Sequence, residues 1–335
     1  MKNRVSILFG GILLLLMFFS FHAGFSQSYG TTLFLPGEET LAPAPFDQRE
    51  PAISLGNGQY LVAWTDTRTG EAPMVFTGNS TDIFAARLDA SGVLIDTTSI
   101  PLTMIGANQN NPKIAWNGEN WLVIWLSQTE TEFFWSMEVQ AVRVSPAGEV
   151  LDPTPITVYK FPFSESAEAE IASDGNNWVV VTRGTSAGEN DLFGIRITPD
   201  GTVLDPGGVV LVPATGSLTF NLDLAFATDE YLLTYLYGDT VFGLRLDAEL
   251  QNLDANPFAI ASPAISPEAP HTASNGTDFF VVWREYSNGT QYGEVLGTRV
   301  SYAGQVLDPG GLTISDLIFI GATDPRVAWD GTNWI

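Results

Sequence analysis

Arginine and aspartate recur nine residues apart in five places: Arg87 with Asp96, Arg143 with Asp152, Arg196 with Asp205, Arg245 with Asp254 and Arg299 with Asp308. Five guanidiniums at one repeated position could ring a polyanion. A carboxylate at constant offset argues instead for ion pairs that tie strands or neighbouring units together, because charges withdrawn from water need partners. A second set of candidates is acidic and aromatic: Asp66 and Arg68; Glu132, Phe134 and Trp135; Asp191; Glu285 and Tyr286. Flat rings among carboxylates suit a sugar, by stacking and hydrogen bonding. The many carboxylates also leave a two-carboxylate glycosidase open, although no spacing marks a pair.

Other chemistries have little to draw on. Cysteine is absent, which excludes disulfides and thiolate metal sites. His271 is the one histidine beyond residue 26, too few for a histidine metal site or a Ser-His-Asp triad. Its place in PHTAS suits core packing or the lining of a pore. The run Pro206-Gly207-Gly208 follows no phosphate-binding pattern, and no Asp-x-Asp-x-Asp-Gly calcium loop occurs. No cofactor is expected, beyond weak attraction of divalent cations to acidic surface.

Residues 1–26 have the form of a secretory signal peptide. Lys2 and Arg4 precede an apolar run over residues 5–21, and Gly24 and Ser26 stand at −3 and −1 of a cut before Gln27. Its removal leaves 12 basic against 38 acidic residues, a net charge of −26, which opposes binding to nucleic acid or anionic lipid. No later apolar run is long enough to span a membrane. The expected location is therefore secreted or cell-surface, with a glycan or protein as partner. Charged residues are 16% and hydrophobic ones 45% of the chain, a folded composition rather than a disordered acidic one.

What must position the candidates is a phrase written six times. It reads PAISLGNGQYLVAW at 51–64, PKIAWNGENWLVIW at 112–125, AEIASDGNNWVVVT at 169–182, LDLAFATDEYLLTY at 222–235, PHTASNGTDFFVVW at 270–283, and PRVAWDGTNWI from 325. Starts 48 to 61 residues apart mean one supersecondary unit per repeat. Each phrase reads as strands A and B around an Asn-Gly or Asp-Gly turn, which supplies positive φ angles; Asp229-Glu230 departs in the fourth. Trp121 and Trp125 fall to the core. Strands C and D follow around turns such as Ser145-Pro146-Ala147-Gly148, suited to a type I turn closed by a glycine bulge; Leu250 departs, again in the fourth. This turn sets Arg143 opposite Leu151 and sends Asp152 to the other face, leaving room for the arginine's partner on an adjacent unit.

Four antiparallel strands per repeat around a centre describe a β-propeller blade. The expected fold is all-β: a propeller over residues 27–335, with five complete repeats and the start of a sixth. Residues 36–44 (PGEETLAPA) match 206–214 (PGGVVLVPA), so the chain is expected to open on a D strand that would complete the last blade. The sixth copy stops inside strand B, so the sequence is expected to be a fragment of a longer protein. Length varies only between B and C, so the B–C and D–A loops form the rim where binding would evolve, opposite a rim of stereotyped turns.

The repeat resembles that of secreted bacterial β-propeller repeat proteins, P-x-I-A-x-[DN]-G-x-x-[YW]-L-V-x-W followed by A-x-R-V-x-x-x-G-x-x-L-D-P. It is carried here by Pro112, Ile114, Ala115, Asn117, Gly118, Trp121, Leu122, Val123 and Trp125, then Ala141, Arg143, Gly148, Leu151, Asp152 and Pro153. The resemblance covers nearly all of residues 36–335. It implies the fold, an exported or surface location, and adhesive or sorting domains downstream, but no activity. Three functions are expected as alternatives: a binding module using the variable rim, a carbohydrate-active enzyme with paired carboxylates on that rim, or a purely structural segment of a large surface protein.

Overall fold

The computed structural model describes residues 47–68, 81–104, 107–130, 135–161, 167–186, 189–213, 219–261, 267–286, 293–318 and 324–335. The signal sequence and the strand expected at 36–44 lie outside these residues. Twenty strands form five antiparallel sheets of four, each in the chain order A-B-C-D. Blade 1 holds β1 (Gln48–Gly56), β2 (Gln59–Asp66), β3 (Asp82–Asp89) and β4 (Ile100–Pro101). Blade 2 holds β5 (Asn108–Trp116), β6 (Trp121–Glu130), β7 (Trp135–Val144) and β8 (Ile156–Lys160). Blade 3 holds β9 (Ala169–Ser173), β10 (Trp178–Ser186), β11 (Glu189–Ile197) and β12 (Val209–Val212). Blade 4 holds β13 (Thr219–Ala227), β14 (Glu230–Tyr237), β15 (Thr240–Leu246) and β16 (Phe258–Ala261). Blade 5 holds β17 (Glu268–Ser274), β18 (Phe279–Tyr286), β19 (Gly293–Val300) and β20 (Leu312–Ile318).

The A strands of consecutive blades touch one another, so they line the centre of a five-bladed propeller arrangement. Strand B is apolar on both faces because each blade is sandwiched. Leu61 and Ala63 of blade 1 join Trp121, Val123 and Trp125 of blade 2 in one core; Leu122 and Ile124 turn the other way, toward Trp178 and Val180 of blade 3. The alternation continues through blades 4 and 5. Trp121 and Trp125 are fully buried. The sixth copy does not build a blade among the described residues. It makes a single bridge between Trp329 and Trp334, and Trp334 stacks on Phe280 of blade 5 with ring centroids 5.4 Å apart.

The turns work by two devices rather than one. Asn57 and Gly58 both take positive φ, 50° and 71°, as a two-residue hairpin requires. In repeats 2, 3, 5 and 6 only the glycine does so. There the Asn or Asp carboxamide or carboxylate caps the turn: Asn117 Oδ1 accepts from Asn120 N at 2.9 Å, and Asp174, Asn275 and Asp330 do the same.

The repeated arginine finds its aspartate in its own blade. Arg143 Nη2 and Nε contact Asp152 at 2.7 and 3.1 Å, and Asp152 Oδ2 also accepts from Arg143 N at 2.7 Å. The expectation of a partner carboxylate on the next unit is therefore corrected. The next unit supplies a carbonyl instead: Arg87 Nη1 donates to Pro146 O at 2.6 Å, Arg143 to Pro199 O at 3.0 Å and Arg245 to Tyr302 O at 2.8 Å. The turn glycine makes room, since a Cβ on Gly148 would lie 2.8 Å from Arg87 Nε. Asp96, Asp205, Asp254 and Asp308 pair in the same way with Arg87, Arg196, Arg245 and Arg299.

Candidate functional site

Strand A is not uniformly apolar. The residue just before each repeat start is Glu50, Asn111, Glu168, Asn221, Ala269 or Asp324, and the residue just after it is Ala52, Lys113, Glu170, Asp223, His271 or Arg326. Blades 1, 2, 4 and 5 carry a register shift at this point, with Glu50, Asn111, Asn221 and Ala269 at φ between 47° and 56°. A bulge re-aims side chains at the end of a strand. Here the two columns meet around a pocket of about 190 Å³ on the B–C/D–A rim, lined among others by Asn111, Lys113, Glu168, Glu170, Asn221 and Arg326.

Each junction at this centre is bridged by a side chain from the earlier blade. Glu50 Oε2 accepts from Asn111 N at 2.9 Å and from Thr65 Oγ1 at 2.8 Å. Lys113 pairs with Glu170, and Glu168 Oε1 accepts from Leu222 N at 2.8 Å. Asp223 Oδ2 accepts from Thr272 N and lies 3.7 Å from His271 Nε2. His271 Nδ1 accepts from Val327 N at 3.1 Å, which joins blade 5 to the last hairpin.

Burial dominates the electrostatics. It pushes the Glu170 carboxyl up to about 7, against the pull of Lys113 and with added repulsion from Asp223. The same desolvation raises Glu168 and Asp223. It carries His271 down to about 3, helped by the positive charges of Arg326 and Lys113, so the imidazole is neutral. Glu168 lies just before β9 and reaches Leu222 N of blade 4, Glu170 lies within β9 and reaches Lys113 of blade 2, and both line the pocket. Glu168 is not among the positive-φ residues that precede the other bulged starts.

The candidates chosen from the sequence are placed elsewhere. Asp66 is fully buried and accepts from Trp64 Nε1 at 2.9 Å and from Arg68 Nε at 2.8 Å, while the Arg68 guanidinium lies 4.5 Å from the centre of the Phe84 ring. Glu285 Oε1 accepts from Trp283 Nε1 at 2.7 Å in the same i, i+2 relation. Tyr286 donates to Glu268 Oε2 at 3.1 Å under the Arg284 guanidinium. Asp191 is 6% exposed within β11. Trp135 opens β7, its side chain lying outside the described residues, as do Glu132 and Phe134. None of the placed candidates lines the central pocket. Strands B and C run further than the loop reading assumed, and Asp66, Trp135, Asp191, Glu285 and Tyr286 belong to them, while Arg68 follows β2. The pocket residues were missed because strand A was read as an apolar run. The signal was present as two polar columns flanking each repeat start.

No family model matches the sequence, and no curated protein is significantly similar to it. Among solved structures, the chain is similar to the Trypanosoma rangeli sialidase bound to the inhibitor DANA, with TM-score 0.52 and 8% identity over 90% of this chain and 55% of that one. It is also similar to the Bombyx mori GH32 β-fructofuranosidase BmSUC1, at TM-score 0.48 and 11% identity over 83% of this chain and 66% of that one. The sucrose-6-phosphate hydrolase of Lactobacillus gasseri gives TM-score 0.47 and 10% identity over 84% and 65%. The chain thus spans less than two thirds of each of these proteins. At such identities the likeness to the sialidase speaks for the propeller fold alone.

Proposed function

We propose that the protein is an exported propeller acting on carbohydrate, with Glu170 as general acid and Glu168 as its carboxylate partner in the central pocket. The observation that carries this is the pair itself: two glutamates two residues apart on the wall of a pocket, on the rim where loop length varies. A carboxyl raised to about 7 is protonated in about half of the molecules at pH 7, and that form can deliver its proton to a leaving oxygen. Burial and the Glu170 charge raise Glu168 above the ordinary carboxylate value, while the Leu222 N–H and the charges of Arg183 and Lys113 act against that rise. Asn111 and Asn221 add amide groups suited to sugar hydroxyls. A pocket of about 190 Å³ admits one ring or a chain end rather than a long oligosaccharide. The solved sialidase of similar fold is named as a glycoside-acting enzyme.

The test is hydrolysis across a broad panel of glycosides by the full chain and by Glu170→Gln and Glu168→Gln. Turnover lost in both variants, with unchanged melting, is the expected result. Absence of hydrolysis by the parent protein across the panel would sink the reading.

A binding module is the second reading, and one observation favours it: Glu168 and Glu170 already join blades, through Leu222 N and Lys113. Glycan retention without turnover would select it.

A further inference from the structure

We infer that the sugar taken by the central pocket carries a carboxylate, and that Arg326 is the residue that selects it; this rests on the carbohydrate reading of the pocket. The chain has 14 basic residues against 38 acidic ones, and carboxylates occupy most of those described. Five arginines are held by the aspartate nine residues on. Arg68, Lys113, Lys160 and Arg284 pair with Asp66, Glu170, Glu138 and Glu268. Arg326 lines the pocket, is exposed, and makes no ion pair among the described residues, not even with Asp324 two positions before it. Its charge reaches Glu170, Asp223 and His271 from the pocket wall.

A guanidinium offers five donors in a planar fork and no acceptor, and its best complement is a carboxylate held by two parallel bonds. Neutral sugar hydroxyls are served by the amides of Asn111 and Asn221 and leave this fork unmatched. Lys113 adds positive field and lies against Glu170. An acid group on the ring, as in a hexuronic acid, therefore has its place at Arg326.

Calorimetric titration of the full chain with D-glucuronate, glucose 6-sulfate and glucose tests this, in the parent protein, Arg326→Gln and Arg326→Lys. Glucuronate should bind at least about ten-fold more tightly than glucose, the scale of a charge-assisted bidentate pair. Arg326→Gln should abolish that preference and Arg326→Lys restore only part of it, because the charge returns without the fork. Melting should be unchanged in both, since the side chain is exposed and unpaired. Equal binding of glucuronate and glucose, no binding of glucuronate, or a preference that survives Arg326→Gln would overturn the inference. Equal binding of the sulfate and the uronate would overturn the choice of carboxylate. Hydrolysis of neutral glycosides with no acid preference would defeat this inference alone, whereas glucuronate binding without any turnover would defeat only the hydrolytic reading.

Discussion

Leu250 stands at the turn position that glycine holds in the other blades, and its Cδ1 lies 2.9 Å from where a Cβ on Gly194 would fall. Leu250 takes φ 63° and is 2% exposed, packed into the core between blades 3 and 4. A buried leucine repays the left-handed strain that a glycine would avoid. Gly194→Ala should destabilise the protein by about 1–3 kcal/mol through overpacking. Leu250→Ala should relieve part of that cost in the double variant, although alone it costs about 2–5 kcal/mol. A denaturation cycle on the four proteins would show the coupling, and strict additivity would refute it.

The same substitution affects the arginine of blade 3. Arg196 keeps its pair with Asp205 at 2.8 Å but makes no bond to the next turn among the described residues, whereas Arg143 donates to Pro199 O. Arg143→Gln should therefore cost about 1 kcal/mol more than Arg196→Gln, the worth of one hydrogen bond. Equal or reversed losses in urea unfolding would contradict the cross-blade role.

His271 predicts an acid-side loss of stability. Its folded value, about 3, lies below the ordinary 6.5, so the folded protein binds fewer protons than the unfolded chain. Stability is complete above 6.5 and falls as pH drops from there toward 3. Protonation also removes the Nδ1 acceptor that holds Val327 N. His271→Asn should flatten the melting temperature between pH 6.5 and 4 relative to the parent. Parallel curves for the two proteins would count against this role.

Glu230 acts with the opposite sign. It is 1% exposed, burial raises it to about 7 against the attraction of Arg245, and Arg245 Nη1 stands 3.4 Å from it. A raised carboxyl favours the folded state at low pH and costs stability as pH climbs from about 4.5 through about 7. Glu230→Gln should melt higher than the parent at pH 8, by about 1–3 kcal/mol of stability, with the gap closing toward pH 4.5. A lower melting point at pH 8 would show that the Arg245 contact outweighs the desolvation.

What was legible in the sequence is what repeats. Blade boundaries, the C–D turn and the D strand at Val209–Val212 follow from fixed spacings, because the same local physics is written five times. Asp66 and Glu285 lie at the B–C ends of β2 and β18, bound to a tryptophan rather than facing solvent. On one strand face, the carboxylate two positions after a tryptophan is an acceptor for its indole, as at Trp64 and Trp283. The pocket was illegible for the converse reason. It is assembled from positions at which the repeats differ, Asn111, Lys113, Glu168, Glu170, Asn221 and Arg326, and only a comparison of the copies column by column brings those residues together.

The bridges between blades run mostly one way along the chain. Arg87, Arg143 and Arg245, with Glu50, Glu168, Asp223 and His271, each offer a side chain to backbone that comes later in the sequence; Trp178 and Asn252 run the other way. At these seams the later blade contributes only main chain, so its side chains there can vary without breaking the seam, whereas truncating the earlier blade's side chain removes it.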